Sequence, residues 1–279
     1  MTAEVSKAEV SRGKRTFAAR YGPWALVAGG SKGLGAAFAE GIARRGVNLL
    51  LTAREEAALK QIASRLKEAY GVQVRTLALD LAEAGFLGVL ERGSRGLEIG
   101  LLVCNAASAY TGPFLRAGLD AYQRLLDTNC RAPLSLMHWL GGRMAARGRG
   151  GILVMSSLSA FQGSAYVAAY GASKAFLLTL SEALGQELGG RGVDVLACCA
   201  GPTRTPNYLE SKPEGVGPGA LEMEPKAVAE TALRALGRKP LVVPGSLNRL
   251  GYVLLSRLLP RRMAVRILAA NTGSMYAEK

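Results

Sequence analysis

The sequence predicts an α/β fold built as one domain, a doubly wound sheet of seven parallel strands with helices on both sides. Three observations carry that expectation. Short β-rich runs alternate with longer stretches of helical periodicity from residue 24 onward. Several of the runs, LLVC, ILVM and VDVLACC among them, are apolar on both faces, as strands are where helices cover both sides of a parallel sheet. A glycine-rich turn separates the first run from the first helical stretch, a place where doubly wound sheets bind ligands. No repeat beyond the β-α alternation and no second core interrupts the 279 residues, so a single domain is expected.

Taken in order, residues 1–22 are polar and basic, with Arg12, Lys14, Arg15 and Arg20, and predict a surface helix or a loose arm. They hold no apolar core of the kind a signal peptide needs, which makes the cytoplasm the expected location. Residues 23–246 are expected to form the domain that carries the chemistry, with strands over Trp24–Gly30, Asn48–Ala53, Val74–Leu79, Leu101–Ala106, Ile152–Ser157, Val193–Cys199 and Leu241–Val243. Residues 203–225 are rich in Pro, Gly and Glu, lack periodicity and follow the sixth strand, which predicts a mobile lid over a ligand.

Residues 247–279 form a basic amphipathic extension. Arginines interrupt LNRLGYVLLSRLLPRRMAVRILAA too often for a bilayer span, which needs about 20 predominantly apolar residues. Two helical pieces broken near Pro260 are expected instead. Their apolar faces either pack on the same molecule or a second subunit, or rest, with Arg257, Arg261, Arg262 and Arg266, on an anionic membrane.

Apolar residues make up 49% and charged residues 20%, a composition that excludes a disordered or fibrous chain. The net charge of +14 suits a partner bearing phosphate. The basic clusters lack the interleaved aromatics that stack on bases, so nucleic acid is not an expected partner. Cys104, Cys130, Cys198 and Cys199 lie in apolar surroundings without metal-ligand spacing, which predicts buried reduced thiols and no metal site. His138, the only histidine, stands on a mostly apolar helix and is expected to be packed.

The glycine turn reads Ala28-Gly29-Gly30-Ser31-Lys32-Gly33-Leu34-Gly35, followed by a helix, AAFAEGIARRG, that ends at Gly46. Glycines 29, 33 and 35 permit a tight turn and close backbone approach, and the helix start offers N–H groups to a pyrophosphate. Farther on, Tyr170-Gly-Ala-Ser-Lys174 opens the helix VAAYGASKAFLLTLSEALGQEL, and the i, i+4 spacing puts phenol and ammonium on one face. A tyrosine has an ordinary pKa near 10, and a cation held beside it favours the phenolate. Ser157 ends the fifth strand thirteen positions earlier, where its hydroxyl can steady charge on a substrate oxygen; strand alternation turns Ser156 to the opposite face.

In order and spacing these residues resemble the classical short-chain dehydrogenase/reductase family, over about Trp24 to Thr205. The resemblance implies a Rossmann fold and hydride transfer between a nicotinamide dinucleotide and a ketone, aldehyde or secondary alcohol. It implies that Asn129, Ser157, Tyr170 and Lys174 are catalytic, with Tyr170 the acid/base, Lys174 also holding the nicotinamide ribose, and Asn129 shaping its helix and holding a water. Within the loop it implies cofactor contacts from Gly29, Ser31, Lys32, Gly33, Leu34 and Gly35. Asp80 resembles the residue that meets the adenine, Asn105 the central Asn of a strand end, and Gly201, Thr203 and Thr205 the segment that holds the carboxamide. Three positions depart from the family pattern: Ala28 replaces a Thr, Cys104 and Ala107 flank the Asn105 segment in place of Asn and Gly, and Ala200 replaces a Pro.

An Asp ending the second strand would select NAD in such a family. This chain has Ala53 there, then Arg54, with Lys32 able to approach the same phosphate, so NADP(H) is the expected cofactor, with NAD(H) left open by Glu55 and Glu56. The mechanism read from these residues is hydride transfer at the nicotinamide C4, with Tyr170 passing the proton and Ser157 holding the oxygen. The alternatives are an NAD-dependent alcohol dehydrogenase of the same fold and a non-enzymatic nucleotide-sensing or scaffold protein. Tyr208, Leu209, Val216, Leu221 and Met223 suggest an apolar substrate, leaving steroid, fatty-acyl, polyketide and xenobiotic ketones open. A homo-oligomer is expected.

Overall fold

The seven strands are β1 (Trp24–Ala28), β2 (Asn48–Ala53), β3 (Val74–Ala78), β4 (Ile99–Cys104), β5 (Gly150–Ser157), β6 (Val193–Ala200) and β7 (Leu241–Val242). They form one sheet in the order β3-β2-β1-β4-β5-β6-β7, every pair parallel. The structure, a computed structural model, describes residues 17–211 and 222–276. Most of the expected arm and the middle of the expected lid, with Val216 and Leu221, lie outside the described residues.

The first helices are α1 (Gly33–Ala43), α2 (Glu56–Tyr70), α3 (Phe86–Gly93), α4 (Leu119–Leu126) and α5 (Ala132–Arg147). They are followed by α6 (Ala168–Gly189), α7 (Pro206–Ser211), α8 (Pro225–Ala235), α9 (Ser246–Val253) and α10 (Arg261–Tyr276). Along β4, Leu101 and Val103 enter one core with Phe38, Leu59 and Val228, while Leu102 and Cys104 enter the other with Phe86, Leu136 and Leu177. Successive side chains of a strand point to opposite faces, so a strand apolar at every position requires a helical layer on each side. Helices α1, α2 and α8 supply one layer and α3, α5 and α6 the other. The extension breaks where expected: α9 continues as a π-turn over Leu254–Leu258, and α10 begins just after Pro260. Among the described residues no helix is long and apolar enough to cross a membrane.

Two expectations are corrected. His138 is exposed, because α5 buries Leu136, Met137, Leu140 and Met144 and the helical period turns His138 out with Leu134. Cys130 is only half-buried, whereas Cys104, Cys198 and Cys199 are buried free thiols. Burial pushes Cys104 up to about 12, so its thiol stays protonated and inert. Cys198 and Cys199 face different apolar clusters, as strand alternation requires.

β4 and β5 each begin two residues earlier than expected, and both early starts include a glycine, Gly100 and Gly151. The reason is Tyr21, the last residue of the helical stretch 17–21. A β-carbon on Gly151 would meet the Tyr21 ring at 2.9 Å, and one on Gly100 would meet the Tyr21 carbonyl oxygen at 2.7 Å. The end of the expected arm is thus seated in the core, with Tyr21 only 3% exposed. Its hydroxyl donates to Asp194 Oδ2 at 2.7 Å, and Arg20 pairs with the same carboxylate at 2.6 Å. Tyr21→Ala is expected to cost about 3–5 kcal/mol, as aromatic-to-alanine changes in cores do. Tyr21→Phe, losing only the hydrogen bond, is expected to cost about 0.5–1.5 kcal/mol. Urea denaturation of both variants checks the pair; equal and small losses would show that the ring is not a core element.

Candidate active site

The chain leaves β1 toward β2 on one side and reaches β4 on the other, so the carboxyl ends of β1 and β4 open the crevice in which such sheets bind ligands. The glycine turn fills this place. Gly29 (φ 81°) and Gly33 (φ 55°) hold left-handed backbone that disfavours any side chain. A β-carbon at Gly29 would meet Ala106 Cα at 2.8 Å, one at Gly33 would meet Thr205 at 3.0 Å, and one at Gly35 would overlap the Gly29 carbonyl oxygen. β1 ends at Ala28 instead of Gly30 because the Gly29 and Gly30 N–H groups turn to the Thr52 carbonyl at 2.8 and 3.0 Å. β4 ends at Cys104 for a matching reason: the N–H groups of Asn105 and Ala106 turn to the Ala28 carbonyl.

The start of α1 carries no side-chain cap, so its first N–H groups remain available beside Ser31 and Lys32. Leu34 packs on the core beneath. The cradle fits a dinucleotide pyrophosphate because each of its three glycines stands where a β-carbon would close it. Asn105 acts through this loop: its Nδ2 donates to the Gly29 carbonyl at 2.9 Å.

Ala53 ends β2, and Arg54 after it is exposed with no carboxylate partner among the described residues. Lys32 is engaged, its Nζ 2.6 Å from Glu55 Oε2. Both members of that pair are more than half exposed, so the contact is worth at most about 1 kcal/mol and yields readily to a stronger anion. Asp80 accepts from the Ala82 N–H at 2.9 Å and pairs with Arg124 at 2.9 Å, which fixes the carboxylate at the edge of the crevice.

Ser157 closes β5 and Tyr170 lies in the first turn of α6, with Lys174 one turn on. The Tyr170 phenol lies beside Ser157; burial raises its pKa above the ordinary tyrosine value, and the neighbouring Ser157 hydroxyl pulls it back in part. The Ser157 hydroxyl oxygen also accepts from the Ser159 N–H at 3.2 Å and lies 3.0 Å from the Ser159 hydroxyl. Lys174 Nζ sits 5.6 Å from the centre of the Tyr170 ring and donates to the Met155 carbonyl at 2.8 Å. Burial pulls Lys174 down to about 8. The structure thus sets the Lys174 ammonium beside the Tyr170 ring, in reach to act on the phenol as the sequence expects. Ser156 faces the other way, as alternation predicts, and donates to the Lys174 carbonyl at 2.8 Å, fastening α6 to β5.

Asn129 occupies a π-turn, Asp127–Arg131, between α4 and α5. The extra residue in the turn aims its side chain inward, where it is fully buried. Its Oδ1 accepts from the Ser108 N–H at 2.7 Å, and its Nδ2 donates to the Ser108 carbonyl at 2.8 Å and to Ser173 Oγ at 3.0 Å. Asn129 thereby ties the loop after β4 to α6. After β6, Thr203 donates to the Gly201 carbonyl at 3.0 Å and Thr205 lies against Gly33. Met223 bridges back to Thr203, so the described ends of the expected lid are pinned at the crevice. Tyr208 donates to Glu222 at 3.0 Å across it.

Sequence reasoning missed Ser108, Ser159 and Ser173, which position Asn129 and Ser157, and Asn248, buried against Gly201. Small hydroxyl residues near the motif were a signal for Ser159 and Ser173. Ser108 and Asn248 are brought in by the fold alone.

A dinucleotide cradle and a polarised phenol on one sheet edge make an oxidoreductase. The chain belongs to the short-chain dehydrogenase family, whose model matches residues 23–214. A 7beta-hydroxysteroid dehydrogenase of Clostridium sardiniense is 31% identical over 84% of this chain and 89% of its own length. A solved structure of a 7beta-hydroxysteroid dehydrogenase, studied for its stereoselectivity, superposes with a TM-score of 0.85 at 27% identity over 90% of this chain and 98% of that one. A short-chain dehydrogenase from Sphingobium yanoikuyae, solved in complex with NADPH, gives 0.72 at 32% identity over 80% of this chain and 87% of that one.

Proposed function

We propose that this oxidoreductase is an NADPH-dependent reductase of a bulky, apolar ketone of the hydroxysteroid kind. The observation that carries the reading is the grouping of Tyr170 with Ser157 and Lys174 beside the glycine cradle. In it Tyr170 donates a proton from its hydroxyl to the substrate oxygen, and Ser157 holds that oxygen by a hydrogen bond as charge develops. Lys174, held by Met155 and by α6, orients the ribose of the cofactor, and Asn129 keeps α6 and the Ser108 loop in register for that contact. The glycine turn would hold the pyrophosphate, with Asp80 toward the adenine and Gly201, Thr203 and Thr205 toward the nicotinamide. When bound, the cofactor supplies the hydride to the carbonyl carbon.

The names of the steroid-active relatives support the substrate class. So do Leu209, 48% exposed on α7, and the apolar Met223 at the lid's base. Homo-oligomeric assembly belongs to the same reading, supported by exposed Phe114, Leu115 and Leu119 around the start of α4. Purified protein turned over with NADPH and NADH against steroid, acyl and bicyclic aromatic ketones tests reaction and substrate together. Loss of reduced nicotinamide only with small polar carbonyls would overturn the substrate class.

Cofactor choice is tested separately. NADPH is expected to bind at least about tenfold more tightly than NADH, a difference of about 1.4 kcal/mol, because Arg54 is exposed without an ion pair among the described residues and the Lys32–Glu55 pair can open for a 2′-phosphate. Ala53→Asp with Arg54→Ala should reverse the preference. Equal dissociation constants for the two cofactors in the wild type would defeat the assignment.

A further inference from the structure

Helix α9 and its π-turn continuation make one helical rod from Ser246 to Leu258, about 20 Å long at 1.5 Å per residue. Its inner side is fully engaged. Asn248 is buried, the Tyr252 ring lies 4.3 Å from that of Phe161, and Gln162 Nε2 donates to the Leu255 carbonyl at 2.9 Å and to Ser256 Oγ at 3.0 Å. In α10, Ala264 is buried and Thr272 Oγ1 lies 3.3 Å from Ser164 Oγ. The extension therefore covers residues 158–167, the loop between Ser157 and Tyr170.

The outer side carries a second apolar stripe. Leu247, Leu250, Leu254 and Leu258 recur at spacings of three and four, so they share one face. Leu250 is 64% and Leu258 69% exposed. Met263 and Ile267, one turn apart on α10, are also exposed. Arg249, Arg257, Arg261, Arg262 and Arg266 are exposed among these apolar residues. From Thr231 to Ala277 the sequence contains no acidic residue. An apolar stripe bordered by cations, with no acidic residue on its own helices, is complementary to a surface of hydrocarbon beneath anionic headgroups. A two-fold partner copy is disfavoured, since an isologous contact would bring two arginine clusters together.

We propose that the outer face of α9 and α10 docks on an anionic lipid bilayer, lying in its surface with the leucine stripe among the acyl chains and the arginines at the headgroups. The docked segment is also the cover of the loop between Ser157 and Tyr170, so docking places that loop close to the lipid. Docking is independent of turnover, which lets it be tested whatever the substrate proves to be.

The test uses the full chain and sedimentation with vesicles of phosphatidylcholine alone or with phosphatidylglycerol at about one lipid in three. Binding to the anionic vesicles is expected to exceed that to neutral ones by at least about tenfold at low salt, and to fall as salt shortens the screening length. Leu250→Glu/Leu254→Glu/Leu258→Glu should abolish binding while particle mass by light scattering and the thermal midpoint stay at wild-type values. Should that variant unfold, Arg261→Gln/Arg262→Gln/Arg266→Gln, which alters exposed side chains only, must still lose anionic binding. Equal sedimentation with both vesicle types overturns the proposal. So does a leucine variant that folds at half the wild-type mass, which would assign the face to a second copy of the chain.

Discussion

Tyr170→Phe lowers kcat for ketone reduction by about 10²- to 10⁴-fold, the usual worth of a positioned acid, and leaves the dissociation constant of NADPH nearly unchanged. The substitution removes one hydroxyl, beside Ser157, and leaves the ring beside Lys174 in place. Lys174→Ala behaves differently, because the lysine is buried, anchored to Met155 and assigned to the ribose; it weakens cofactor binding as well as turnover. The pH profile carries the same assignment. Lys174 is charged below about 8 and neutral above it, so kcat/KM for reduction is expected to be flat through neutral pH and to decline as pH rises through that value. Rates measured under saturating NADPH in the wild type and both variants check this. A Tyr170→Phe enzyme with more than about a tenth of wild-type kcat contradicts the proton-donor role.

Gly35→Ala is expected to weaken NADPH binding by at least about 100-fold, or about 2.7 kcal/mol. The added β-carbon would overlap the Gly29 carbonyl oxygen and come within 2.8 Å of Asn105 Nδ2. Both neighbours are fixed, Gly29 by its N–H bond to Thr52 and Asn105 by its backbone bond to Ala28. Neither can withdraw without opening the turn. The Asn105–Gly29 bond is then lost and the first N–H groups of α1 are no longer aimed at one point. Gly46→Ala, at a left-handed glycine in open space, is the control; it is expected to cost stability through its backbone angle and to leave affinity close to wild type. Calorimetric titration of both proteins with NADPH separates the two effects, and wild-type affinity in Gly35→Ala would remove the glycine turn from the cofactor site.

Much of the fold and site was legible beforehand because it is encoded in short stretches. A strand apolar on both faces, such as LLVC, declares its burial in four residues. The glycines at 29, 33 and 35 declare a turn because the backbone there excludes a β-carbon. Tyr170 and Lys174 share a face through helical period alone. Strand ends were less legible, since Gly100 and Gly151 look like breakers until Tyr21 is seen occupying the space their side chains would need. His138 shows the converse: an apolar neighbourhood in sequence did not make a buried position, because α5 presents only one side to the sheet.

By itself, then, the sequence determined the seven-stranded parallel sheet, the family, the glycine turn and the serine, tyrosine and lysine of the site, all properties of residues a few positions apart. The tertiary structure alone decided which groups are engaged: Lys32 with Glu55, Asn129 with Ser108 and Ser173, Asn105 with Gly29, and Tyr21 with Asp194. It also decided that the Lys174 ammonium sits beside the Tyr170 ring, and that the extension seats one face on the active-site loop and turns its leucines outward. The physical reason is the same in each case. Hydrogen bonds and desolvation depend on distances between side chains from different elements, and those distances exist only once the sheet has brought the elements together.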